Sequence, residues 1–332
     1  MAFLTQQRLI VTLGLLLCGA ALLSLITGSQ TIPLLQAVRQ SLLGEPGVYG
    51  IILTELRIPR TLVALLAGAS LGLSGAVMQS LLRNPLASPG LVGSASGAAL
   101  GAVITLYFGL AGLSSFVLPI GGIIGALLAT LTVYLLAGRD NSTLTLILAG
   151  VAVNSFTLAL VSLLLNLAPS AYAVQEIALW MLGSLANISR NELWILLPGT
   201  LFGWLLIVRQ GRSLDLLTLG EETASSMGVE MPRLRWRLFL AVALSVGSAI
   251  SVTGAIGFIG LVVPHLLRPL VGHQPSRLLI PSALGGALLL LLADIGVRLI
   301  PLAAEIKVGV VTSLIGAPFF LWLILHERRS GL

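Results

Sequence analysis

One feature constrains this chain more than any other: apolar stretches close to the length that crosses a bilayer recur from one end to the other. Leu9 to Ile26, Thr61 to Leu82 and Leu238 to Ile256 are examples. A hydrocarbon layer of about 30 Å takes about 20 residues of helix, and runs of that length read as transmembrane helices. Only 9% of the residues are charged and 57% are hydrophobic, where soluble domains carry about 25% charge. A single water-soluble core cannot absorb that much apolar surface at this length. Gly is abundant at 37 residues, and small residues let membrane helices approach closely.

The expected fold is therefore all-α and polytopic, with about ten spans near 8–27, 60–82, 93–110, 115–137, 144–167, 191–209, 236–257, 259–272, 278–299 and 307–326. The first is read as a transmembrane helix and not as a cleaved signal, because its apolar run is long and no small-x-small site ends it. The eighth is short and carries Pro264, so it is expected to be broken or bent.

The net charge of +6 comes from arginine, with Lys307 the only lysine. No basic face interleaved with aromatics is present, so nucleic acid is not an expected partner. The arginines instead mark orientation. With the N-terminus inside, inner segments hold Arg8, Arg83, Arg139, Arg209, Arg212, Arg233, Arg235, Arg277, Arg328 and Arg329. The outer set is Arg39, Arg57, Arg60, Arg190, Arg298 and Lys307. The bias favours both termini in the cytoplasm.

Two connections are too polar to span. Residues 168–190 form an outer one with Tyr172, Gln175, Glu176 and Trp180. Residues 210–235 form an inner one, punctuated by Gly220, Gly228 and Pro232. Leu214, Leu216, Leu217, Leu219, Met227 and Val229 are many apolar residues for a solvated connector. Short helices presenting them would make a docking surface for a cytosolic subunit.

Gly68, Gly75, Ala76, Leu82, Pro85, Leu91, Val92 and Gly93 recur at one constant offset as Gly247, Gly254, Ala255, Leu261, Pro264, Leu270, Val271 and Gly272. On the expected topology the first copy starts outside and the second inside, which makes an inverted repeat with halves near 57–167 and 233–327.

Catalytic constellations are absent. There is no Gly-x-x-x-x-Gly-Lys phosphate loop, so any ATP hydrolysis belongs to another chain. His265, His273 and His326 are scattered, and no metal site is legible. Charges at membrane depth are functional candidates. Asp294 and Arg298 stand four apart on one helical face and can pair. Arg57-Ile58-Pro59-Arg60 places two arginines at the outer rim, with Pro59 read in a first helical turn. Those arginines suit either headgroup anchoring or the carboxylates of an external partner.

The residues that carry a family resemblance are Arg57-Ile-Pro-Arg-Thr61, Gly75-Ala-Val-Met-Gln79, Asn84-Pro-Leu-Ala-Ser-Pro-Gly90 and Leu148-Ala-Gly-Val151. Trp180-Met-Leu-Gly-Ser184, Leu219-Gly-Glu-Glu222 with Met227-Gly228, Gly257-Phe-Ile-Gly-Leu-Val-Val-Pro-His265, Leu292-Ala-Asp294 and Gly316-Ala-Pro318 follow in order. Nearly end to end, the chain resembles the permeases of type II ABC importers for iron–siderophore complexes, haem and cobalamin.

The resemblance implies one transmembrane permease domain over 1–332 and a bacterial inner-membrane location. It implies a second permease subunit, identical or paralogous, two cytosolic ABC ATPases that use the ATP, and a periplasmic or lipid-anchored binding protein. This chain itself is expected to bind no cofactor and no metal, and to meet lipid. Binding-protein docking would fall on Arg57, Arg60 and Arg298, the exceptions to the inside bias. ATPase coupling would fall on Leu217, Leu219, Gly220, Glu221, Ala224, Met227 and Gly228. A cytoplasmic gate would fall on Asn141, Ser142, Thr143 and Leu144. Alternating access at a dimer interface is the implied mechanism. Ferric siderophore is the first expected cargo, with haem or cobalamin as the alternative. An ion-coupled secondary transporter is the rival of another class.

Overall fold

A computed structural model describes residues 2–28, 32–42, 47–138, 142–300 and 305–329, and all of its regular structure is helical. The first half runs α1 (Ala2–Ile26), α2 (Leu34–Leu42), α3 (Val48–Leu81), α4 (Ser94–Tyr107), α5 (Val117–Ala137), α6 (Thr143–Asn166) and α7 (Ala171–Met181). The second runs α8 (Arg190–Val208), α9 (Gly211–Leu217), α10 (Glu221–Ser226), α11 (Met231–Thr253), α12 (Ile259–Leu267), α13 (Pro275–Leu299) and α14 (Val308–Arg329). Seven of the described helices are long and apolar enough to cross a membrane: α1, α3, α5, α6, α8, α11 and α13. The apolar helix α4 and the apolar part of α14, Val308–Trp322, are shorter.

Burial sorts the spans into centre and rim. The apolar windows of α3 and α11 are 83% and 72% buried, that of α1 only 11%. A helix that is apolar on every side belongs in a core, and α3 is buried without interruption from Ala67 to Leu81. Around this centre, α3 packs on α13 and α12, while α11 packs on α5, α4 and α8. Backbones meet where side chains are small. A Cβ on Gly75 would sit 1.8 Å from the Gly260 carbonyl oxygen, so α12 can lie on α3 only because that position has no side chain.

The eighth apolar segment is short, but Pro264 lies inside its helix and does not end it. The helix α12 has nine residues, and a single 3-10 turn at Pro269–Val271 follows it. Nine residues rise about 14 Å, half a bilayer. The chain before α12 is unwound, and unwound backbone at membrane depth must find partners within the protein. It does so against the Trp180–Ser184 motif: Ser184 N donates to Thr253 O at 2.7 Å, and Gly309 N donates to Gly183 O at 3.2 Å. Gly183 and Gly254 both take positive φ, and a Cβ on either would strike the other segment's carbonyls.

The 168–190 connection contains the helix α7, which Ser170 caps by accepting from Ala173 N at 3.2 Å. Pro59 stands in the first turn of the regular α-helix Ile58–Leu81, and the helical path reaches it from Val48 through a π-helical stretch, Ile52–Arg57. A proline ring clashes with the carbonyl four residues back in a regular α-helix, and a π turn widens the helix at that place.

Candidate functional site

Three groups of residues carry the functional reading. At the end of the bundle that the arginine bias places outside, Arg57, Arg60 and Arg298 converge on the last turn of α1 and on Asp294. The final carbonyls of a helix lack intrahelical donors. Arg57 Nη1 donates to Leu25 O at 2.8 Å and also to Ile26 O. Arg298 Nη1 donates to Ser24 O and Thr27 O at 3.0 Å each, and its Nη2 donates to Ser24 Oγ at 2.6 Å. The Asp294 carboxylate, fully buried, lies between two guanidinium groups: Arg60 Nη2 at 2.7 Å and Arg298 Nη2 at 2.9 Å. Arg60 also bonds to Glu305, whose side chain is one-third exposed. Among the described residues, three guanidinium groups stand with two carboxylates in this cluster.

The i,i+4 pairing of Asp294 with Arg298 is therefore present. The residues that sequence reasoning missed are Ser24, Thr61, whose Oγ1 lies 2.8 Å from Ser24 Oγ, and Glu305. Arg57 and Arg298 are buried with acceptors inside the chain; Arg60, through Glu305, reaches the surface.

At the other end, α9 and α10 form a helical hairpin. Its apolar residues divide by face. Leu214, Leu217 and Ala224 are completely buried, and Leu216 and Val229 pack partly against the core. Leu219 and Met227 are 60% and 57% exposed. The expected docking surface is thus narrower than the full set, because a helix laid on a bundle turns one stripe inward. Gly220 (φ 105°) and Gly228 (φ 91°) supply the positive φ at which the hairpin turns.

Two acids pin the hairpin. Asp215 accepts from Ser276 N at 2.8 Å, Ser276 Oγ at 2.6 Å and Gln274 Nε2 at 2.8 Å at the start of α13. Glu221 Oε1 accepts from Arg235 Nη2 of α11 at 2.7 Å and from Thr143 Oγ1 of α6 at 3.2 Å. Arg235 is 3% exposed, and sequence reading had counted it only as an inside charge.

The third group is the start of α6. Ser142 caps the helix by accepting from Thr145 N at 3.1 Å. Thr143 contacts Glu221, and Leu144 is 66% exposed. Asn141 lies outside the described residues. Further along, Asn154 Nδ2 donates to Gly90 O at 2.9 Å and ties α6 to the Asn84–Gly90 motif. Leu144, Leu148, Val151 and Leu158 are all at least half exposed on one face of α6.

A cavity of about 490 Å³ lies beside α7, lined by Tyr172, Gln175, Glu176, Trp180, Ser251 and Lys307 among others. Among the described residues no group of three His, Cys, Asp or Glu could hold a metal ion.

Residues 15–326 match the FecCD transport family. The chain belongs to that family. It is 40% identical over 328 residues to the vitamin B12 import system permease protein BtuC of Salmonella typhimurium and of Salmonella paratyphi A, covering 97% of this chain and 96% of each relative. A solved structure, an inward-facing conformation of a metal-chelate type ABC transporter, superposes with a TM-score of 0.86. It is 32% identical and covers 96% of this chain and 99% of that one. The FecCD-family chain is thus the permease subunit of an ABC importer, a multi-pass membrane protein that works with ATPase, substrate-binding and second permease partners. ATP hydrolysis belongs to a separate subunit, and an ion-coupled secondary transporter is set aside.

Proposed function

We propose that this FecCD-family permease carries cobalamin. The observation that carries the proposal is the 40% identity to vitamin B12 permeases along 97% of the chain. It moves first place from ferric siderophore to cobalamin; the metal-chelate transporter is less similar, at 32%. The proposed cycle starts with a loaded binding protein at the Arg57, Arg60 and Arg298 cluster. Its carboxylates compete with Glu305 for Arg60. Arg57 and Arg298 act from beneath by holding Arg60, Asp294 and the end of α1 in place.

At the inner end, ATPases engage the exposed Leu219 and Met227, and the hairpin passes their movement on. Glu221 is the connecting group, since one carboxylate oxygen holds both α11, through Arg235, and the first residue of α6, through Thr143. The start of α6 is the proposed cytoplasmic gate, facing its counterpart in a second permease across the exposed Leu144 face. Both termini are proposed to be cytoplasmic. The pairing of α3 with α13 and α12, answered by α11 with α5 and α4, supports two inverted halves at 57–167 and 233–327.

The test is uptake by proteoliposomes holding the permease and its ATPase, with the cognate binding protein outside. ATP-dependent uptake of labelled cobalamin, with no uptake of a ferric hydroxamate, is the expected result. Uptake of the ferric chelate alone would return the cargo to the siderophores and leave the importer assignment intact.

A further inference from the structure

A second cavity, of about 500 Å³, opens at the same end as the coupling hairpin, and its lining is one-sided in charge. Gln79, Arg83, Thr218, His265, Arg268 and His273 contribute to it, and among the described residues no carboxylate does. Three segments distant in sequence bring them together: the end of α3, the turn after α12 and the link between α9 and α10.

Arg268 is the central group. Its Nη2 donates to Gln79 Oε1 at 2.8 Å, and Gln79 Nε2 in turn donates to Leu261 O at 3.1 Å, which fixes the guanidinium in place. Its Nε is buried and has no acceptor. A buried guanidinium N–H without a partner is costly, so a site that keeps one is built for an acceptor that arrives from elsewhere. Among the described residues neither Arg268 nor Arg83 forms a salt bridge. Asp215, three residues before Thr218, is engaged by Ser276 and Gln274 and leaves the cations uncompensated.

The backbone points the same way. Arg83 and His273 are two of the three non-glycine residues with positive φ among the described residues, at 50° and 61°. Both follow a helical turn, where glycine is the low-cost residue. Both positions instead carry a basic side chain into the one cavity. Beside it Leu266 and Leu270 are each 51% exposed, and Leu86 is 40% exposed, which places apolar surface next to the cationic lining.

We propose that this pocket binds a phosphate-bearing anion, with Arg268 and Arg83 as its principal donors. The adjoining apolar surface favours the headgroup of an anionic phospholipid, whose acyl chains would lie along Leu266 and Leu270, as basic pockets between membrane helices on the cytoplasmic side bind acidic lipids. Free phosphate has the same chemistry and is the other source. The inference is independent of the cargo.

The experiment uses the complete transporter in nanodiscs of phosphatidylcholine with or without phosphatidylglycerol, and reads retained lipid by native mass spectrometry and unfolding temperature. The native transporter is expected to retain phosphatidylglycerol and to unfold at a higher temperature in its presence. R268Q should lose most of that retention. R83G is the decisive variant, because glycine suits the positive φ. In phosphatidylcholine alone it should be no less stable than the native protein, and in phosphatidylglycerol it should lose a large part of the gain. Protection by inorganic phosphate in phosphatidylcholine, with none from phosphatidylglycerol, would support the site and assign it to the free anion. Equal lipid retention by native, R268Q and R83G proteins, with no effect of phosphate, would overturn the proposal. So would unchanged lipid retention together with release of the ATPase, which would make the pocket a seat for an acidic side chain of that subunit.

Discussion

The outer arginine cluster and the inner helical hairpin both rest on arginine–carboxylate pairs, yet they are built for opposite purposes. In the outer cluster each guanidinium has acceptors inside the chain, and Asp294 is held from two sides. The cluster binds the ends of α1, α3 and α13 into one piece. The hairpin hangs on two acids, and one of them, Glu221, serves two helices through a single oxygen. A region tied many times over transmits force as a rigid body; a link such as Glu221, made through one oxygen, can change partners. The first suits a platform for a docked protein, the second a joint.

The sharpest way to break this contrast is Arg298→Met. It strips Asp294 of one guanidinium and removes the donor to Ser24 O and Thr27 O, so a half-paired buried carboxylate remains. Removing one partner of a buried pair costs about 3–5 kcal/mol, and a large fall in unfolding temperature in detergent is expected. A fall no greater than that of a surface variant would mean that the cluster is not the rigid part.

Next comes Glu221→Gln. A charge-assisted bond contributes about 1.5–3 kcal/mol, and here Arg235 is buried while Glu221 is about one-third exposed, so the lower end is expected. The larger signature is functional: ATPase activity persists while substrate carried per ATP falls severalfold in proteoliposomes. Smaller still in stability is Leu219→Glu with Met227→Glu. Both side chains are exposed, so the fold should change by less than about 0.5 kcal/mol per site, while co-purification of the ATPase is lost. At the bottom stands Arg190→Ala. Its pair with Glu55 at 2.8 Å is about half exposed on both sides, and such pairs contribute about 0–1 kcal/mol. Unfolding temperature and uptake should both stay near native values.

How much of this was legible beforehand depends on what kind of partner a residue has. Arg57, Arg60 and Arg298 stood out because they break the inside bias, and Asp294 because it lies four residues from Arg298. Their other acceptors, the carbonyls of Ser24, Leu25 and Ile26, have no sequence signature, since any residue supplies a carbonyl. Arg235 was hidden for the converse reason: an inside arginine fits the charge rule and draws no notice. The short eighth apolar run signalled the short α12, although Pro264 lies inside that helix, and the π stretch ahead of Pro59 leaves no composition signal. In the 210–235 segment the count of leucines signalled helices. Only the packing showed that Leu214 and Leu217 face the bundle while Leu219 and Met227 face out.

The most direct test of the joint is a spin-label distance across the permease dimer from Ser142, an exposed residue at the proposed gate, in a Cys18→Ser background. With the label attached through Ser142→Cys and Glu221 intact, the distance distribution between the labelled 142 positions of two permease copies should shift when ATP is trapped in the transporter, and Glu221→Gln should abolish that shift while the ATPase still binds nucleotide. An equal shift in Glu221→Gln would contradict the role given to Glu221 and place the link between ATPase and gate elsewhere in the chain.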